Sequence, residues 1–128
     1  MPKTSSHSVR HDAVPEERVL AAAREWARRL REDHPEVVRV GYFGSYARGD
    51  YVPGSDFDVL TDVSALAAGA ATGGARLADR AVRYRPESFP VGLEIIVYTL
   101  AELASLRAAG ASFIRAIDAE LCDLSPDT

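Results

Sequence analysis

The spacing of apolar positions changes along the chain, and each change marks a new element. Val19, Ala23, Trp26 and Leu30 recur at helical spacing. With Pro15 as a first-turn residue, they predict a helix beginning near Pro15 and carrying Trp26 on its buried stripe. Val37 to Phe43 is rich in β-branched and aromatic residues and lies between Pro35 and Gly44, which predicts a short strand. Further strands are predicted from Ser55 to roughly Thr61 and over Leu93 to Tyr98. Between those two, Ala65 to Ala75 is an alanine-glycine stretch broken by Gly69, Gly73 and Gly74, and predicts a loose helix or mobile loop. The last third predicts a helix carrying Leu100, Leu103 and Leu106, a stop at Gly110, and a final helix with Phe113, Ile114, Ile117 and Leu121 at core spacing. The sum is an α/β fold in which a short mixed sheet is covered by helices. Residues 1–14 are polar and predict a disordered tail, and residues 15–128 a single domain.

The chemistry gathers where the first two strands meet. Gly44-Ser45-Tyr46-Ala47-Arg48-Gly49 follows the first strand, and Ser55-Asp56-Phe57-Asp58 opens the second. Gly44 lets backbone approach a ligand closely. Ser45 suits the cap of a short helical turn, whose free amides favour phosphate. Along a strand Asp56 and Asp58 share one face, and Phe57 and Val59 take the other, toward the core. Two carboxylates that close repel each other and favour a cation. Hard oxygen ligands suit Mg²⁺ or Mn²⁺, which complete their shells with water and substrate phosphates. An isolated D-x-D is usually a solvated strand end. The glycine-serine turn ahead of it makes the pair a candidate site for a nucleoside triphosphate with its metal.

Gly44-Ser45, ten intervening residues and Asp56-Phe57-Asp58 resemble the signature of the minimal nucleotidyltransferases, a branch of the DNA polymerase β-like superfamily. The resemblance runs from about Val37 through Leu93–Thr99 into Ala101-Glu102-Leu103. It implies a polymerase β-like fold and transfer of a nucleoside monophosphate, AMP from ATP, to a hydroxyl with release of pyrophosphate. Asp56 and Asp58 would hold the metals, and Gly44 and Ser45 would grip the β- and γ-phosphates. Arg48 and Ser55 complete the nucleotide-binding set, although Arg48 also suits a structural tie to an acid such as Asp50. The third carboxylate usual in the family falls on Glu94, as a metal ligand and acceptor of the hydroxyl proton. The family more often has Asp there. Read by itself, Glu94 is a charge inside an apolar strand, which calls for a metal, an acceptor hydroxyl, an arginine or solvent. In this family a common acceptor is a tyrosine of a small helical HEPN-type toxin, with the nucleotidyltransferase as its antitoxin. Two other readings stay open: a non-catalytic module that masks such a partner, and an enzyme for a small aminoglycoside-like acceptor.

Composition narrows the classes. A chain of 128 residues, 47% apolar, carries enough material for one core. Its formal charge of −4 argues against general nucleic-acid binding. Lys3 is the only lysine, so a side chain gripping triphosphate is arginine or a hydroxyl. Arg76, Arg80 and Arg83 share a predicted helix face with Arg85 nearby; the face is a candidate for phosphate or an acidic partner, with a solvated surface the favoured reading. The single cysteine, Cys122, reads as a packing residue in a reducing cytoplasm. No membrane span and no signal peptide are visible in the sequence. The acceptor site is expected to be completed by another subunit or protein.

Overall fold

A computed structural model describes residues 14–66 and 77–124. The predicted disordered tail up to residue 13, the alanine-glycine stretch over 67–75 and Arg76 lie outside the described residues. The elements run α1 (Glu16–Asp33), β1 (Val37–Phe43), α2 (Ser45–Arg48), β2 (Phe57–Val63), α3 (Leu77–Val82), β3 (Leu93–Thr99), α4 (Leu100–Ala108), α5 (Ser112–Glu120) and β4 (Cys122–Asp123). Four strands form one mixed sheet in the order β3-β2-β1-β4. β1 is antiparallel to both β2 and β4, and β2 is parallel to β3. The α/β architecture expected from the apolar pattern is therefore the observed one.

The period of two along each strand divides the core. Phe57, Val59 and Val63 of β2, with Ile95 and Val97 of β3, pack with the α1 stripe of Val19, Ala23, Trp26, Ala27 and Leu30. Leu60 of β2 turns the other way and packs with Leu103 of α4 and with Ile114 and Ile117 of α5. Trp26 is part of the core, as its spacing predicted, and its indole Nε1–H donates to the Tyr84 carbonyl at 2.9 Å. That bond satisfies the ring's one polar atom and ties α1 to the segment after α3.

Two local devices fix the elements beside the site. Thr99 and Glu102 form a reciprocal capping box at the start of α4, with bonds of 2.9 and 3.0 Å. Glu102 also takes a two-pronged bond from Arg80 at 2.7 and 2.9 Å. The arginine face read as solvated is thus corrected at Arg80: its side chain is only 9% exposed and is consumed by this pair. Arg83 and Arg85 are exposed but also engaged, with Glu36 and with the Leu93 carbonyl.

Candidate active site

Register assembles the site. Phe43, the last residue of β1, pairs with Asp58, and Asp58 pairs with Glu94 across the parallel β2–β3 pair. One row across the sheet therefore carries the residue before Gly44, the second residue of β2 and the second residue of β3. Asp56 lies just outside β2, exposed and two residues ahead of Asp58, rather than within the strand as predicted.

The turn after β1 is shaped for close approach. Gly44 has φ of 83° and ψ of −153°, a conformation open essentially to glycine. A methyl group there would also run into Asp58 Oδ2. Gly92, just before β3, plays a matching part for the other acid, because a Cβ on it would run into Asp56 Oδ1. Behind the turn, Tyr46 is buried, packs edge-on against Phe57 and stacks on Tyr51 with ring centroids 4.2 Å apart. The α2 turn is thereby anchored to the core by its aromatic residue, leaving Ser45 and Arg48 toward the cavity.

A cavity of about 560 Å³ opens here. Gly44, Ser45, Arg48, Ser55, Asp56 and Asp58 line it from the sheet side, and Phe113, Ile117 and Glu120 of α5 from the other. All six sheet-side residues are ones the motif singled out for the phosphates or the metal. Glu94 is exposed and is not among the residues lining this cavity; it stands beside Asp58 by strand register. Asp58 shows the electrostatic consequence: burial, then Glu94, then Asp56 push its carboxyl up to about 6. Such crowding of acids fits a divalent cation in its donor chemistry. Among the described residues no group of three or more His, Cys, Asp or Glu side chains is gathered closely enough to hold an ion unaided.

Arg48 is tied to Asp50 at 3.2 Å, the structural link weighed from sequence, and also to Glu120 at 3.1 Å. Ser55 Oγ accepts the Val52 N–H at 2.9 Å and closes the loop before Asp56. Three site residues had no sequence signal of their own. Glu120 accepts the Gly44 N–H at 2.7 Å from 76 positions away. Phe113, read as core, is 45% exposed and walls the cavity. Gly92 carries its meaning only through Asp56. A second cavity, of about 510 Å³, lies between Trp26, His34, Tyr84 and Arg85 and contains none of these acids.

A family model described as a nucleotidyltransferase domain matches residues 23–103, more than half of the chain. The chain belongs to the nucleotidyltransferase domain family. The matched residues include the Gly44 turn, both aspartates and Glu94. The fold is similar to a crystal structure of a "putative nucleotidyltransferase" from Sulfolobus solfataricus. The TM-score is 0.52 at 23% identity, over 79% of this chain and 82% of that one. None of the curated proteins matches the chain. Membership makes this a nucleotidyltransferase domain, with a nucleoside triphosphate as the implied substrate. No described helix is long and apolar enough to cross a membrane.

Proposed function

We propose that this protein transfers AMP from ATP to a hydroxyl of a protein partner, a tyrosine of a small helical HEPN-type toxin, and so acts as its antitoxin. The observation that carries the catalytic part is Asp58, set in one row with the Gly44 turn and Glu94, with its carboxyl pushed up by burial first and then by Glu94 and Asp56. A module that only masks a partner needs no paired carboxylates beside a glycine-serine turn. The tyrosine acceptor and the HEPN-type partner rest on the resemblance of the G-S…D-x-D motif.

In this reading Asp56, Asp58 and Glu94 hold the divalent ions. When bound, Mg²⁺ or Mn²⁺ supplies charge stabilisation for the attacking and leaving oxygens of an in-line displacement. The Gly44 backbone and Ser45 orient the β- and γ-phosphates, with Arg48 beside them. The acceptor oxygen forms a bond to the α-phosphorus, and the bond from that phosphorus to pyrophosphate breaks. Glu94 takes the proton that the acceptor hydroxyl loses. The chain's own contribution is to fix these groups relative to one another before substrate arrives.

Masking without transfer is the rival reading. It draws on the occupied state of the cradle, where Glu120 takes the Gly44 amide and part of Arg48. The two part in one experiment. The protein is incubated with Mg²⁺, ATP labelled at the α-phosphate and the product of the neighbouring gene. Transfer predicts label, and a mass increase of one nucleoside monophosphate, on the partner with wild type and little with Glu94→Gln. Masking predicts an unmodified partner neutralised equally by both.

A further inference from the structure

Glu120 closes α5 and reaches the phosphate cradle. Its Oε2 accepts the Gly44 N–H at 2.7 Å and lies 3.1 Å from Arg48 Nη1, with Oε1 3.3 Å from the same nitrogen. Arg48 is the only lysine or arginine among the described residues lining the cavity. Both donors are ones a phosphate oxygen would seek, since charge-assisted bonds to amide and guanidinium are the strong ones. The helix does not favour this carboxylate. At the last residue of α5 it faces the negative end of the helix dipole, where a cation is preferred. Its place is held by Gly44 and Arg48. The side chain is 23% exposed, so solvent is open to it once those donors are taken.

We propose that Glu120 is a specificity-determining residue: an internal anion that a ligand's phosphate must displace from Gly44 and Arg48. A lone phosphate offers these donors no more than the carboxylate already does, and it brings negative charge toward Asp56 and Asp58. A triphosphate accompanied by a divalent cation engages those acids through the cation and gains further contacts along its chain. Glu120 therefore sets a threshold that single phosphates fail and a metal-charged triphosphate passes. The identity of the favoured ligand rests on the nucleotidyltransferase reading; the competition itself rests on the bonds of Glu120.

Calorimetry with Mg²⁺ and a non-hydrolysable ATP analogue, and separately with inorganic phosphate, tests this on wild type, Glu120→Gln and Glu120→Ala. Gln keeps the size and an acceptor for Gly44, so it guards against loss of fold, which a thermal melt checks. Both variants should bind the analogue more tightly, Ala by about tenfold, the factor that one net hydrogen bond to a charged group represents. Inorganic phosphate should become measurable in Glu120→Ala. In an Arg48→Gln background the gain should shrink, which a role in merely propping the turn would not produce. Equal or weaker analogue binding by both variants, with wild type binding, overturns the role of Glu120 and leaves the nucleotidyltransferase reading intact. No analogue binding by any of the three overturns both.

Discussion

Asp58 and Glu94 are register partners across the parallel β2–β3 pair, each the second residue of its strand. The sheet thus spends stability to hold two acids side by side. The carboxyl of Asp58, at about 6, lies above its ordinary value of 3.8. The folded protein therefore keeps a proton that the unfolded chain releases first. Stability is fullest below pH 4 as far as this group is concerned, and falls as pH rises from about 4 to about 6. Asp58→Asn should raise stability at pH 7 by about 1–2 kcal/mol, discounted for partial solvent access. Thermal melts of both proteins across pH 4 to 8 check this. A variant less stable than wild type at pH 7 would count against it. Metal-dependent nucleotide binding should weaken as pH falls through about 6, as the Asp58 carboxylate is lost.

The opposite sign is expected at Glu102. Arg80 first, then the Thr99 bonds, hold its carboxyl down at about 2, against desolvation. This stabilisation is present above pH 4.5 and is lost as pH falls from there toward 2. Glu102→Gln should cost about 2 kcal/mol at pH 7, because it unpairs a mostly buried arginine, with the half-open position of Glu102 limiting the loss. Denaturant melts at pH 7 and pH 3 should show the two proteins converging at the lower pH. A constant gap would remove the ion pair from the account.

The two glycines beside the acids should separate strain from crowding. Gly44→Ala meets both a left-handed φ and Asp58, so it should lose about 1–3 kcal/mol of stability as well as nucleotide binding. Gly92→Ala meets only the Asp56 carboxylate, which has room to turn outward from its exposed position. It should keep most of its stability and lose metal-dependent binding by displacing Asp56. Melting and calorimetry on both variants report the two quantities separately. Unchanged binding in Gly92→Ala would show that Asp56 is not held where the site needs it.

What the sequence made legible was local. The β1 bounds, Val37–Phe43, follow from β-branched residues between a proline and a glycine. The alternation in β3 put Glu94 opposite Ile95 and Val97, and the strand keeps that division. The glycine-serine turn and the aspartates lie within fifteen positions of one another, so their joint meaning could be read from spacing. Glu120 could not be found this way, because its partners are 76 and 72 positions upstream and no periodicity links them. Phe113 shares helical spacing with Ile114 and Ile117, yet the buried stripe of α5 is narrow and leaves it in the cavity. Arg80 looked like surface among its neighbouring arginines; only the fold of α3 against β3 and α4 supplies Glu102. β4, two residues long, owes its existence to pairing with Gly41 and Tyr42 and not to any propensity of its own.

The central claim is that Asp56 and Asp58, with the Gly44 turn, form a metal-dependent triphosphate site. Calorimetric titration of ATP into wild type tests it most directly, run with Mg²⁺, with a chelator, and with Mg²⁺ in the Asp56→Asn, Asp58→Asn double variant. Binding should appear only in wild type with Mg²⁺ and collapse in the other two titrations. Equal affinity with the chelator present, or in the double variant, would contradict the account.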